Sequence, residues 1–324
     1  MTKQIILVGS IAYDYLMRFS GHFNNHILPE HLERLSLSFL VDDMRRERGG
    51  VAANIGYTMG LLGGHPLLFG TVGRDFGDYR DWLTRHGVDT GGVVVLQDLF
   101  TASFFVTTDL DNRQIASFYA GAMAEAAQLS LEDLNPEHIE LVVISPTAPD
   151  AMAKAVHECK MLGLPYVYDP SQQTVRLTKE ELIDGIDGSL MLIVNDYELN
   201  LIEKKTGLES AEIHAMTHNL IVTRGEHGIT ILNDGMHHIP AALTENIVDP
   251  TGVGDAFRGG LLRAYVGGAD WTIAGKVGAL AATFCLENVG TQGHHYTIEE
   301  FILRFEQLYG GGAQRVRKLL AQQA

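Results

Sequence analysis

Gln4-Ile-Ile-Leu-Val-Gly-Ser10 opens the chain with an apolar run of strand length ended by glycine. An uninterrupted run of this kind is the pattern of a strand buried on both faces of a parallel sheet. Similar runs recur at 141–144, 166–168, 191–194 and 220–223. Helical patterns fall between them at 151–162, 196–206 and 211–218. This alternation predicts an α/β fold with a central, mostly parallel sheet flanked by helices on both faces. Beyond Asp255 the pattern is helical at 256–266, 272–287 and 298–308, and Gly310-Gly-Gly312 breaks it before a last short helix.

Two segments depart from the alternation. Residues 18–47 are polar, with alternating Leu-Ser-Leu-Ser-Phe-Leu at 35–40. Residues 93–119 alternate strongly on either side of the turn-like Asp109-Leu-Asp-Asn112. Both read as antiparallel strands with one wet face. Residues 1–324 are therefore expected to form one α/β domain, with a small antiparallel β lid inserted from about 18–48 and 93–119.

The 324 residues are 46% hydrophobic and 20% charged, as in an ordinary globular protein. Forty acidic against 24 basic residues give a net charge of −16. That balance argues against nucleic acid or an anionic membrane as partner. Cys159 and Cys285 lie far apart, without metal-ligand spacing or a disulfide framework. With no apolar run long enough for a signal peptide or a span, a cytoplasmic location is expected.

The chemistry concentrates in Asp249-Pro-Thr-Gly-Val-Gly-Asp-Ala-Phe257. Gly252 and Gly254 let the backbone bend sharply and bring several N–H groups to one anion. The helix that begins near Asp255 aims its positive end at the same point. A carboxylate there is suited to taking a proton from a hydroxyl that attacks the bound anion, which suggests phosphoryl transfer to an alcohol.

Four further stretches are candidates. Gly49-Gly-Val-Ala-Ala-Asn54 allows close backbone approach at a helix start, and Asn54 can offer a donor and an acceptor to a sugar diol; alone, it reads as capping and packing. Asp14 follows the first strand, where ligands of open α/β sheets bind, and equally suits a solvated turn. Asn195 and Glu198 are three apart at a helix start, which suits hydrated Mg²⁺ or a capping box, or both. Thr223-Arg-Gly-Glu-His-Gly228 can cradle a phosphate, although a plain turn fits its spacing better. Gly70-Thr-Val-Gly-Arg-Asp-Phe-Gly77 has the wrong spacing for a dinucleotide fingerprint. The pairs His237-His238 and His294-His295 should diverge in regular structure and lie at the surface.

Taken in order, Gly49-Gly50 with Asn54, Asn195 with Glu198, Thr223 with Gly225, and Asp249 through Asp255 resemble the motifs of the ribokinase-like (PfkB) carbohydrate and nucleoside kinases. The similarity runs from Ile5 to about Gly290. Within that family the stretches at 9–12, 36–43, 114–119, 169–173 and 249–258 are most similar to the adenosine kinases of actinobacteria, a group whose pattern Pro250 and Val253 share.

The resemblance implies ATP-dependent phosphorylation of the adenosine 5′-hydroxyl. Asp255 would be the base, and the amides of Gly252, Val253 and Gly254 the anion hole. Ser10, Asp14, Gly50 and Asn54 would hold the ribose, and Ser38, Phe104, Phe118, Gln172 and Gln173 the adenine. Asn195, Thr223, Gly225, Gly228 and Arg258 would serve the nucleotide, with Arg258 either neutralising phosphate charge or solvated. Asn195 and Glu198 would hold Mg²⁺, and Asp249 and Thr251 a potassium ion. Relatives pair their lids, so a homodimer is expected. The rival readings are a kinase of ribose, fructose, inosine or guanosine, and a nucleoside-binding module without catalysis.

Overall fold

The computed structural model describes residues 3–27 and 37–321. The strands are β1 Gln4–Val8, β2 Ala12–Arg18, β3 Asp43–Gly49, β4 Leu67–Gly73, β5 Asp89–Leu96, β6 Ala102–Thr108, β7 Gln114–Tyr119, β8 Ile139–Ile144, β9 Tyr166–Tyr168, β10 Met191–Asn195, β11 Leu220–Thr223, β12 Ile229–Leu232 and β13 Met236–Ile239. The helices are α1 Val51–Leu61, α2 Gly77–Arg85, α3 Pro149–Leu162, α4 Lys179–Ile186, α5 Asp196–Thr206, α6 Ser210–Met216, α7 Val253–Val266, α8 Trp271–Leu286, α9 Ile298–Tyr309 and α10 Ala313–Leu320.

Nine strands form the main sheet in the order β13-β12-β11-β10-β9-β8-β1-β4-β5. All neighbours from β5 to β11 pair in parallel, and β12 and β13 close one edge antiparallel. The alternation of β1 explains the three layers. Ile5 and Leu7 enter a core with α1, α7 and α8, while Ile6 and Val8 enter a separate core with α3, α4 and α5. Both faces of β1 are therefore covered, as its continuous apolar run requires.

The chain leaves β1 towards β4 and β5 on one side and later returns beside it as β8. Strand order thus reverses at β1, and the crevice outside the carboxyl ends of β1 and β8 is where such sheets bind ligands. Ser10 amide donates to the Pro146 carbonyl there at 2.8 Å, tying the two strand exits together.

A second sheet of four strands, β3-β2-β6-β7, stands over this end. It begins at Ala12, earlier than the expected 18, and Val93–Leu96 belongs not to it but to β5 in the main sheet. Alternation alone could not distinguish these placements, because a half-covered edge strand of the main sheet carries the same period. Its β2–β6 pair is parallel, and its other pairs are antiparallel. Residues 35 and 36 of the alternating Leu-Ser run lie outside the described residues, and 37–40 form coil rather than strand. The turn at 109–112 forms, with Asp109 accepting the amides of Phe23, Asp111 and Arg113.

His294 corrects the expectation of a surface position for the pair at 294–295, whereas His295 is exposed as expected. His294 is fully buried, edge-on to Tyr57, and its Nε2 lies 3.2 Å from the Thr58 hydroxyl. Burial pulls its imidazole down to about 4, so it packs as a neutral ring. Gly70–Gly77, set aside as a failed fingerprint, is the end of β4 and the turn into α2.

Candidate active site

A cavity of about 620 Å³ opens between the carboxyl ends of the main sheet and the second sheet. Register builds its upper wall. Asp14 on β2 pairs with Phe104 on β6, and Phe104 pairs with Phe118 on β7, so the three share one row and one face. All three line the cavity, as do Gln172 and Gln173 from the loop after β9. In that loop Ser171 adopts φ 39°, a left-handed conformation that serine rarely takes without surrounding support. Gln173 is buried and donates from Nε2 to the Thr147 carbonyl at 2.6 Å.

The lower wall is the start of α1. Val51 amide donates to the Ser10 hydroxyl oxygen at 3.0 Å, which fixes the helix to the end of β1. Gly50 has φ +93°, and a Cβ on it would lie 2.6 Å from backbone atoms of Ser10, Ile11 and Ala12. A Cβ on Gly49 would meet Asp14 Oδ2 at 2.6 Å. The two glycines are thus what lets Asp14 sit against the helix start.

The floor is the first turn of α7. Gly252 takes φ +79° at its N-cap, and the leading N–H groups of the helix have no acceptor within it. Gly252, Gly254 and Asp255 all line the cavity, beside Asn195, Glu198 and Thr251. Asp255 is partly open to the cavity, yet its carboxylate lies deep among protein atoms. Burial pushes its carboxyl up, and Glu198 adds to that. The Arg258 guanidinium and a 2.8 Å hydrogen bond from Asn54 Nδ2 pull against it without cancelling it.

Arg258 is not solvated. It is buried against Asp169, with Nη2 donating to Oδ1 at 2.6 Å. Nε approaches Oδ2 at 2.5 Å as a close ion pair, without a well-directed hydrogen bond. Burial pushes the Asp169 carboxyl up to about 7 even with that partner. Asp14 is pushed up to about 6, by burial first and then by Glu47 and Asp255. The cavity is therefore rich in carboxylates that repel one another, and it gains by taking up positive charge.

Asn195 and Glu198 form a capping box: Asn195 Oδ1 accepts Glu198 N at 2.7 Å, and Glu198 Oε2 accepts Asn195 N at 2.8 Å. Thr223 pairs in register with Asn195 at the end of β11, but Thr223, Gly225 and Gly228 do not line the cavity. Asp249 receives the amides of Thr251 and Gly290, each at 2.9 Å. Desolvation raises its carboxyl, but these bonds outweigh it and hold the group low. Ser38 does not join the site. It is exposed in coil before β3, with no strand pairing to carry it to the cavity wall.

Several residues of the site were not read from the sequence. Arg176, Thr291 and Met123 line the cavity, and Asp169 stands behind Arg258. Gln292 contacts Asn54 from outside it. A separate void of about 20 Å³ beside Gly9 and Glu158 is of single-water size.

Residues 4–297 match the pfkB family carbohydrate kinases. The chain belongs to the PfkB kinase family. It is therefore a phosphotransferase with an alcohol group as acceptor. This PfkB kinase is 28% identical over 316 residues to a nucleoside kinase of Methanothermobacter thermautotrophicus, a match covering 95% of this chain and 97% of the relative. It is 40% identical to the ligand-free nucleoside kinase of Burkholderia thailandensis, with TM-score 0.85 over 93% of this chain and 100% of that one. The complex of that Burkholderia enzyme with inosine aligns at TM-score 0.82 and 39% identity, over 94% and 98% of the two chains.

Proposed function

We propose that the protein is an ATP-dependent nucleoside kinase that phosphorylates the 5′-hydroxyl, with adenosine as acceptor. The observation that carries this reading is the convergence of Asp255, the α7 amides and the Asp14–Phe104–Phe118 row on one cavity. Flat aromatic faces beside two glutamine amides suit a nucleobase. Asp14 and the Ser10 hydroxyl suit a ribose diol. Asn54 is engaged with Asp255 and Gln292, so its contact with the sugar would be secondary.

In the reaction, Asp255 takes the proton of the 5′-hydroxyl as that oxygen bonds to the γ-phosphorus. The bond from phosphorus to the β,γ-bridging oxygen breaks, and its electrons leave with ADP. The first amides of α7, Gly252 to Gly254, stabilise the charge on the transferring group. Arg258, anchored by Asp169, adds positive charge beneath Gly254. The Glu198 oxygen not used in the capping box and the neighbouring Asn195 suit a hydrated Mg²⁺, which when bound would neutralise phosphate charge. Asp249 and Thr251 have oxygen lone pairs left for a potassium ion behind the anion hole.

The decisive experiment is a panel of adenosine, inosine, guanosine, ribose and fructose with ATP, with and without potassium. Inosine is the second reading, because the Burkholderia relative was solved with it. Turnover of ribose or fructose alone would refute the nucleoside assignment. Asp255→Asn should abolish turnover while keeping nucleoside binding; retained turnover removes Asp255 as the base.

The face of the second sheet turned away from the cavity exposes Phe105, Ile115 and Tyr119, an apolar surface suited to a second copy of the chain. A homodimer through this lid is proposed, and a monomeric mass in solution would contradict it. Among the described residues no helix is long and apolar enough to cross a membrane. With two free buried cysteines, a reducing cytoplasmic setting is proposed.

A further inference from the structure

Gln292 does not line the cavity, yet its side-chain amide is buried and engaged at both ends. The Trp82 indole Nε1 donates to Gln292 Oε1 at 3.1 Å. Gln292 Nε2 donates to the Tyr79 hydroxyl oxygen at 2.5 Å and to Asn54 Oδ1 at 2.9 Å. Tyr79 in turn donates its own proton to the Gly49 carbonyl at 2.8 Å.

The polarity of this chain is not a matter of choice. An indole N–H can only donate, so it requires the carbonyl end of Gln292. A peptide carbonyl can only accept, so it takes the Tyr79 proton and leaves that oxygen to receive an N–H. Both anchors give Gln292 the same orientation, which removes the usual ambiguity of an amide. Asn54 must then turn its Oδ1 to Gln292, and its Nδ2 donates to Asp255 Oδ2 at 2.8 Å.

We propose that Gln292 is a positioning residue for phosphoryl transfer: held by Trp82 and Tyr79, it orients Asn54 so that an N–H rather than a carbonyl faces Asp255. This rests on the reading of Asp255 as the base. The Asn54 N–H pins one carboxylate oxygen and leaves the other for the acceptor hydroxyl. It also favours the ionised carboxylate, which is the form able to take a proton. The groups around Asp255 make that contribution matter. Glu198 at the head of α5, Asp14 on β2 and Asp169 after β9 are carboxyl groups whose ionised forms repel that of Asp255, and the Cys285 thiol of α8 is neutral. Arg258 opposes them from the next turn of α7, but it is shared with Asp169. Turning Asn54 round would set its carbonyl against the carboxylate and leave Asp255 protonated to higher pH.

Single-turnover rates against pH test this, with ATP and adenosine, or inosine where the panel selects it. Gln292→Glu keeps the shape but accepts at both oxygens, so it demands the Asn54 N–H for itself. Its rate at pH 7 should fall at least tenfold, its acidic limb should move up by about one unit, and the rate should recover towards wild type at pH 9. Because the new carboxylate also acts by its charge, two neutral variants accompany it. Gln292→Met, and the double variant Trp82→Phe/Tyr79→Phe that removes both anchors, free Asn54 to turn without adding charge, and each should move the limb in the same direction by less. Thermal melting confirms that each is folded. Neutral variants that melt as folded proteins, with profiles superimposed on wild type, overturn the proposal. If they superimpose while Asp255→Asn is inactive, the positioning role alone falls. If Asp255→Asn keeps turnover, the base reading and the positioning role fall together.

Discussion

Replacing Gly252 by alanine should damage stability and turnover together, and the structure gives the size of both effects. At φ +79° the residue is left-handed, which costs a side chain roughly 1–2 kcal/mol. The added Cβ would lie 2.8 Å from Thr291 Cβ, 2.9 Å from its Cα and 2.9 Å from its Cγ2. Carbon atoms settle at about 3.5–4.0 Å, so the two segments must separate by more than half an ångström. Rotating Thr291 gives no relief, because its Cα and Cβ are in the clash. The loop is also pinned, with Thr291 donating to the Arg48 carbonyl at 2.7 Å and Gly290 to Asp249 at 2.9 Å. Overpacking of this kind costs about 1–3 kcal/mol, for a total of roughly 2–5 kcal/mol. The displaced element carries the proposed anion hole, and a shift of this order should lower kcat by about a hundredfold. Gly207→Ala is the control. Its φ is +76°, but nothing lies within 4 Å of the new Cβ, so it reports the backbone cost alone. Denaturant midpoints of both variants, with single-turnover rates of phosphoryl transfer, separate the two terms. A Gly252→Ala protein as stable as Gly207→Ala, with turnover within about threefold of wild type, would refute the account of the loop.

Two further outcomes follow from the buried charges. Asp14 has a folded value near 6, above its unfolded value, so its contribution to stability is complete below about pH 4 and is lost as pH rises through 6. Asp14→Asn should therefore gain stability relative to wild type between pH 4 and 7.5, by on the order of 1–2 kcal/mol, in paired melting curves. The same variant should raise the nucleoside KM at least about tenfold at pH 7.5 and abolish the rise in KM expected of wild type below pH 6. Arg258→Met strands the Asp169 carboxyl in the core and should cost about 3–5 kcal/mol. Adding Asp169→Leu should recover a large part of that loss in a double-mutant cycle, and strict additivity would count against a coupled pair.

What the sequence revealed of this site and what it hid divide along a physical line. Gly252, Gly254 and Asp255 were legible because their chemistry is local: a sharp turn, a helix start and a carboxylate are consecutive residues, and the motif is its own geometry. The parallel strands were legible because burial on both faces writes itself into every position of the run. The second sheet was legible as alternation, but alternation is blind to partner. Val93–Leu96 was therefore assigned to the wrong sheet, and the row Asp14–Phe104–Phe118 became explicit only through register. Gln292 marks the limit. Its neighbours in Gly-Thr-Gln-Gly-His-His say nothing of Trp82 or Tyr79, which come from a helix more than 200 residues earlier. Its meaning lies in the direction of its hydrogen bonds, and direction is fixed by donor-only and acceptor-only partners that tertiary packing supplies. The same holds for Asn54, where the sequence permits a donor or an acceptor towards a ligand. Packing spends its Oδ1 on Gln292 and its Nδ2 on Asp255, and so turns a sugar-binding candidate towards the proposed base.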